Sequence, residues 1–337
     1  MAENLVSVRD LKVHFPLKRK GMFGERPIVH AVDGVDFDLE RGRTFGLVGE
    51  SGSGKTTTAL AVMRLVKVTA GSIRMGNDEL ATMEGEELRK ARSRFQMIFQ
   101  DPYSSLNPRM RAGAIVREPM DLMGIGEADT RDRRVEELFA SVGLRPEQTA
   151  LFPHQFSGGQ RQRIGVARAL ASRPDLIVCD EPVSALDVAI QAQTLNLLQR
   201  LQKEFGLTFL FISHDLGVVQ HICDEIAVMY LGQIVEQTDR VTLFKRPLHP
   251  YTWALLSAVP SADPAIRETA ERIRLTGDPP SPIDLPTGCR FAGRCPFAKE
   301  ICSDKVPPLR ELADGHRISC HLVDEQGNAP HHGQSAA

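Results

Sequence analysis

The stretch Phe45-Gly46-Leu47-Val48-Gly49-Glu50-Ser51-Gly52-Ser53-Gly54-Lys55-Thr56 decides how this chain is read. An apolar run feeds a loop of the form G-x-x-x-x-G-K-[ST], and the segment Thr57 to Val66, rich in Ala, Leu and Val, predicts a helix behind it. Glycines let backbone N–H groups turn inward around an anion without Cβ clashes. The helix behind the loop aims its positive end at the same point. Lys55 can then bridge β- and γ-phosphates, and the Thr56 hydroxyl can ligate Mg²⁺. The alternative, a Gly/Ser-rich surface loop, does not account for the strand–loop–helix setting.

Working outward, residues 5–15 and 32–39 alternate apolar and polar, which predicts strands of a half-buried antiparallel sheet. Lys18-Arg19-Lys20-Gly21 between them reads as a solvated loop. Phe15 ends the first strand and can either stack on an adenine ring or pack at an edge. Downstream come a strand over Gly71–Gly76, a charged helix over Glu84–Arg94 and a strand over Phe95–Phe99 ending at Gln100. The prolines and turn formers of Asp101 to Pro108 exclude regular structure there. Helices are expected over 112–123 and 129–142, with Arg131-Asp132-Arg133-Arg134 as a solvated face. Phe156-Ser157-Gly158-Gly159-Gln160 stands before a strong helix over Arg161–Ser172. Ser157 is a good N-cap, and the paired glycines with Gln160 favour an anion-binding turn over a simple cap.

Leu176-Ile177-Val178-Cys179 is an apolar run of the kind found in a strand covered on both faces, and it ends in Asp180-Glu181. Acids at the C-terminal end of such a strand stand where α/β sheets place their chemistry. Ser184-Ala185-Leu186-Asp187 follows, then a helix to about Glu204. A strand over Thr208–Ile212 ends in Ser213-His214-Asp215. A helix to Ile222 and strands over Ile226–Leu231 and Gln233–Gln237 complete the expected core.

The order of these motifs resembles the nucleotide-binding subunits of ABC transporters over residues 5 to about 240. Gly49–Thr56 resembles Walker A, Gln100 the Q-loop, and Ser157–Gln160 the signature motif with Phe156 where Leu is usual. Leu176–Asp180 resembles Walker B, Glu181 the catalytic glutamate, Ser184–Asp187 the D-loop and His214 the switch histidine. The resemblance implies an α/β fold: a RecA-like P-loop ATPase core, an antiparallel β subdomain and an α-helical subdomain inserted at about 101–160. It implies an ATPase with Glu181, His214 and Lys55 as catalytic residues. ATP would be held by Phe15, Gly49, Glu50, Ser51, Gly52, Ser53, Gly54, Lys55, Thr56, Thr57, Gln100 and His214. Mg²⁺ would be held through Thr56, Gln100 and Asp180. Ser157, Gly158, Gly159, Gln160 and Asp187 would meet the ATP of a second, homologous subunit across a head-to-tail dimer. Asp180 can reach Mg²⁺ through water, which frees Glu181 to orient and deprotonate an attacking water.

Phe99 to Arg109 (FQDPYSSLNPR) and His249 to Pro260 (HPYTWALLSAVP) narrow the resemblance to the dipeptide/oligopeptide importer branch, which includes nickel and glutathione importers. The insertion Lys20-Gly21-Met22-Phe23 resembles the second ATPase subunit of dipeptide systems. This implies a heterodimeric ATPase under two membrane-spanning permeases, fed indirectly by an extracytoplasmic solute-binding protein, at the cytoplasmic face of the cell membrane. The chain divides into a domain over 1–240 and an extension over 241–337. In the extension Cys289, Cys295, Cys302 and Cys320 are spaced C-x5-C-x6-C-x17-C after the proline-rich Asp278–Pro282. Four thiols this close suggest a metal site. The spacing is not the short C-x2-C usual for zinc, and some members of the branch hold a 4Fe–4S cluster here, so 4Fe–4S is favoured and zinc is the alternative. The tail beyond Asp324, with His331 and His332, reads as disordered.

Composition sets limits on other readings. The 337 residues are 42% hydrophobic and 25% charged, ordinary for a globular protein, and the net charge of −2 gives no global attraction to nucleic acid. Met1-Ala2-Glu3-Asn4 lacks the basic and apolar regions of an export signal, and no run approaches the roughly 18–20 apolar residues that span a bilayer. A structural disulfide framework is therefore not expected, and Cys179 and Cys223 read as buried thiols. A remote alternative, a soluble ABC-type ATPase acting on nucleic acid or ribosomes, lacks support: there is no long coiled coil and only one cassette.

Overall fold

A computed structural model describes residues 3–19, 26–101, 103–259, 275 and 277–330. The basic loop beyond Arg19, the insertion Lys20–Phe23, Pro102, Pro260, His331 and His332 lie outside the described residues. The described chain divides into two compact units. One is drawn from residues within 1–6, 38–44 and 74–212, the other from residues within 7–37, 45–73 and 213–337.

In the first unit, strands Phe95–Ile98, Leu176–Asp180 and Thr208–Ser213 run parallel. Phe95 to Ile98 pair with Leu176 to Cys179, and Leu176 to Asp180 with Thr208 to Ile212. All five residues of Leu176–Asp180 are buried, as expected for a strand covered on both faces. Helix Val188–Phe205 buries Thr194, Leu195, Leu197, Leu198 and Leu201, the spacing of one helical face, and Gly206 closes it at φ 66°. Each large apolar side chain removed from water here contributes about 1.5–3 kcal/mol before entropy is counted. Helices Ala112–Met123, Ala128–Ser141 and Gly158–Leu170 pack on one another and form the helical insertion. Arg131 is not the solvated side chain expected: it donates to the carbonyls of Ile125 and Gly126 and pairs with Asp121.

In the second unit, Thr44–Val48 runs parallel to Glu225–Tyr230, with Phe45 opposite Glu225 and Val48 opposite Val228. Leu231 and Gly232, both at positive φ, turn the chain into Gln233–Asp239, antiparallel to Glu225–Tyr230. Strand Asn4–Pro16 lies between Ile28–Glu40 and Ala70–Met75 in a separate sheet.

The extension has more structure than its composition suggests. Its short strands Arg310–Glu311 and Arg317–Ile318 add to the sheet that carries the phosphate-loop strand, with Ile318 opposite Glu236. Leu248, Leu312, Ile318, Cys320 and Val323 form a core of their own. The residues just beyond Asp324 are also built in. The Asp324 carboxylate accepts from the amides of Gln326 and Asn328, and a Cβ on Gly327 would touch Leu312. The periodicity did not reveal helices Arg240–Lys245 and Pro250–Ser257, which are too short to show a stripe.

A buried polar knot joins the extension to this sheet. Glu236, fully buried, accepts from the backbone N–H groups of Leu248 (2.6 Å) and His249 (2.9 Å) and lies 2.8 Å from His316 Nε2. His249 caps helix Pro250–Ser257, its Nδ1 accepting from Tyr251 N–H. Burial lowers the His249 pKa to about 4 against an opposing pull from Glu236. A lowered folded-state pKa leaves stability intact above the unfolded value near 6.5 and removes it as pH falls toward 4. The loss should reach about 3 kcal/mol over that window. His249→Asn, which keeps a capping acceptor and does not titrate, should flatten the pH dependence of chemical denaturation between pH 6.5 and 4. An unchanged slope would assign the titration elsewhere.

Candidate nucleotide and cysteine sites

The phosphate loop follows strand Thr44–Val48 and ends at Gly54, which caps helix Lys55–Val62 from the left-handed region. Its glycines are dictated by space as well as by φ. A Cβ on Gly49 (φ 152°) would stand 2.2 Å from the Met229 carbonyl oxygen, and one on Gly54 (φ 104°) 2.3 Å from that of Ala31. Lys55, buried, donates from Nζ to the carbonyls of Gly49 and Glu50, both at 2.8 Å. Thr56, at the start of the helix, is exposed. Phe15 is exposed at the end of its strand, and His214 is exposed just past strand Thr208–Ser213.

In the first unit, Asp180 is the last residue of its strand and is buried. Glu181 follows with φ 46°, a left-handed conformation that an L-residue adopts at a cost. Its amide donates to the Ile212 carbonyl at 3.0 Å, and its Oε2 accepts from Gln100 Nε2 at 2.9 Å. The two strand ends named by the sequence thus bring a carboxylate and an amide side chain together. Ser157 caps helix Gly158–Leu170 in a capping box: its Oγ accepts from Gln160 N–H, and its own N–H donates to Gln160 Oε1. Part of the sequence case for anion binding at Gln160 is therefore taken up by the cap. A Cβ on Gly158 would meet nothing, whereas one on Gly159 would meet Ile190 at 2.9 Å. Asp187 is exposed and begins helix Val188–Phe205.

The four C-terminal cysteines are free thiols, and so are Cys179 and Cys223, both buried as expected. Cys289 N–H donates to the Cys302 carbonyl at 2.7 Å, and a Cβ on Gly288 would collide with that same carbonyl. Burial raises the thiol pKa of Cys289, Cys295 and Cys320, the last two to about 11 and about 12. Backbone N–H groups of Phe291 and Ala292 oppose it at Cys289, as do those of Phe297 at Cys295 and Leu322 at Cys320. Among the described residues, no three of these sulfurs lie within 4.8 Å of one another.

Two arginines of this segment escaped the sequence reading. Arg294 forms a bidentate pair with Glu50 of the phosphate loop, at 2.7 and 3.1 Å. Arg290 donates to the Leu231 carbonyl and pairs with Asp33. Burial works against the Asp33 charge, but bonds from Arg290 and His14 keep its pKa below the usual range. His14 and His30 complete a compact cluster with Asp33. The only hint in the sequence was an acid inside the phosphate loop, which calls for a cation.

Comparison with known proteins agrees with this geometry. A family profile described as "ABC transporter" matches residues 32–184, and one described as "Oligopeptide/dipeptide transporter, C-terminal region" matches 235–302. The chain is 50% identical over 323 residues to the oligopeptide transport ATP-binding protein AppF of Bacillus subtilis, covering 95% of this chain and 98% of that protein. It is also 50% identical over 316 residues to a putative peptide import ATP-binding protein of Brucella ovis, covering 94% and 97%. Among solved structures, the dimeric ATP-binding cassette MJ0796 bound to ADP and Pi matches at 28% identity and TM-score 0.61, over 70% of this chain and 98% of that one. The fold is shared with cbiO1 of Clostridium perfringens at 24% identity and TM-score 0.63, over 73% of this chain and 92% of that one. The core is RecA-like, and the chain is an ABC-type ATPase that belongs to the ABC transporter family in its oligopeptide/dipeptide branch.

Proposed function

We propose that this chain powers import of oligopeptides or dipeptides, as one of two homologous ATPase subunits beneath two membrane permeases. The observation that carries the reading is the near end-to-end identity with proteins named for peptide transport, extending through the C-terminal region as well as the cassette. Among the described residues no helix is long and apolar enough to cross a membrane, so work at a membrane requires partners that span it. We place the chain at the cytoplasmic face, with the transported solute chosen by the permeases and an extracytoplasmic binding protein.

In this reading the phosphate loop cradles the triphosphate with its N–H groups, and Lys55 turns from the Gly49 and Glu50 carbonyls toward the β- and γ-phosphates. Phe15 stacks on the base. Thr56, by its hydroxyl, and Asp180, by its carboxylate, would hold Mg²⁺. When bound, Mg²⁺ neutralises phosphate charge. Glu181 orients a water for in-line attack on the γ-phosphorus and takes its proton as the bond to the β-phosphate oxygen breaks. Gln100, hydrogen-bonded to Glu181, fixes that carboxylate and begins the segment that enters the helical insertion. His214 contributes a hydrogen bond to the γ-phosphate. The helix behind Ser157 and Gly158 faces the nucleotide of the partner ATPase, with Gly159, Gln160 and Asp187 beside it, so closure buries two nucleotides.

We also assign the four cysteines to a 4Fe–4S cluster. Unbridged thiols with N–H groups aimed at their sulfurs suit thiolate ligands. Tetrahedral zinc would bring the sulfurs to about 3.8 Å from one another, given Zn–S bonds of ~2.3 Å. A 4Fe–4S cube would instead take one thiolate on each of its four irons. When bound, the cluster supplies cross-links to a small loop-rich segment.

Glu181→Gln should lower ATP turnover by at least about 10²-fold while leaving ATP bound, and should accumulate an ATP-loaded dimer with the partner ATPase on gel filtration. Turnover at the wild-type rate would remove Glu181 from the chemistry. Co-expression with peptide-importer permeases and a second ATPase subunit from the same organism should recover one complex that takes up labelled dipeptide only with ATP; recovery with ribosomes instead would overturn the transport reading. Anaerobically purified protein should be brown and carry about four iron and four sulfide per chain. Colourless protein with one zinc would reverse the cluster assignment.

A further inference from the structure

The turn from Cys289 to Cys295 holds three side chains, those of Arg290, Phe291 and Arg294, that reach the frame of the phosphate loop. Phe291, buried, packs edge-on to Tyr230 at 5.3 Å between ring centroids, and lies 5.4 Å from Tyr251 and 5.6 Å from His249. Arg290, nearly buried, donates to the Leu231 carbonyl and pairs with Asp33, whose own N–H donates to the Gly232 carbonyl. Gly232 N–H in turn donates to the carbonyl of Ser53, inside the phosphate loop. Arg294, also nearly buried, grips both oxygens of Glu50, the second residue of that loop. Glu50 is held a second time, its N–H donating to the Tyr251 hydroxyl at 2.8 Å.

We propose that Arg294 is a positioning residue of the nucleotide site, and that the cysteine-bearing segment is thereby a brace whose integrity is read as affinity for the triphosphate. The inference rests on the ATPase reading and goes beyond it. A carboxylate inside a loop built to cradle a polyanion opposes binding unless a cation neutralises it. Arg294 does this in a site closed to water on its own side, where a paired charge is held in one geometry and screened little. The same bidentate fork fixes the direction of the Glu50 side chain. With Tyr251 on its N–H, the turn that aims the loop amides is held from two directions. Arg294 sits one residue before Cys295 and Arg290 one residue after Cys289, so rearrangement of either thiol moves a guanidinium that touches the loop or its neighbours. Coupling of this kind is reciprocal: if the ordered segment strengthens ATP binding, bound ATP must stabilise the segment by the same factor.

The test is equilibrium binding to the full-length chain by calorimetry, with ATP, ADP and adenosine as probes. Arg294→Gln should weaken ATP by about tenfold, or about 1.4 kcal/mol, ADP by less, and adenosine not at all, with the thermal midpoint close to wild type. Arg294→Lys should recover part of the ATP affinity, since it restores the charge without the fork. In a Glu50→Gln background, Arg294→Gln should cost much less than it does alone. ATP should also slow amide hydrogen exchange across residues 289–302 in the wild-type chain and leave it unchanged in Arg294→Gln. Should Arg294→Gln lose stability, the exchange measurement on wild-type protein decides: no effect of ATP on 289–302 overturns the brace. Equal weakening of ATP and adenosine, or wild-type ATP affinity in Arg294→Gln, also overturns it. Failure of the wild-type chain to bind ATP at all would instead sink the ATPase reading.

Discussion

The constraint on which the rest depends is the close approach of backbone to backbone around the phosphate loop. Gly49 and Gly54 stand where the Met229 and Ala31 carbonyls leave no room for a Cβ, and both hold positive φ. That approach accompanies the in-register pairing of Thr44–Val48 with Glu225–Tyr230. Lys55 is drawn back over the loop by two carbonyl acceptors, a buried cation held ready rather than solvated.

Glu181, just past the end of its strand, shows where sequence expectation and local preference part. Glu181 follows a strand of five buried residues and adopts φ 46°, a conformation its side chain does not favour. The amide bond to Ile212 and the side-chain bond from Gln100 hold it there. Backbone strain of this kind clusters at functional sites, and the C-terminal ends of parallel strands are where α/β sheets place their chemistry. The signature turn is plainer: Ser157 and Gln160 satisfy each other's backbone N–H groups in a capping box.

The C-terminal extension is continuous with the unit that carries the phosphate loop. It adds strands to that unit's sheet, places His316 against the buried Glu236, and inserts Phe291 among Tyr230, Tyr251 and His249. Its strands, each only two residues long, gain stability only from neighbours already in place.

The sequence alone determined the α/β class, the phosphate-loop motif and the polar residues Asp180, Glu181 and His214 at or just past the ends of buried strands. Each rests on short-range rules: glycine spacing, period-2 or period-3.6 patterning, and polar residues directly after apolar runs. Element boundaries followed within a few residues, as for Val188–Phe205, where the helical stripe is long. Short helices such as Pro250–Ser257 were missed because eight residues carry too little periodicity. Only the tertiary structure decided that Arg294 meets Glu50, that Arg290 meets Asp33, and that Glu236 gathers two amides and His316. Arg294 and Glu50 stand 244 positions apart, and Glu236 and His316 stand 80 apart. No local pattern encodes such partners. A buried charge takes whichever opposite charge the folded chain brings within hydrogen-bond reach, and only the completed sheet fixes which one that is.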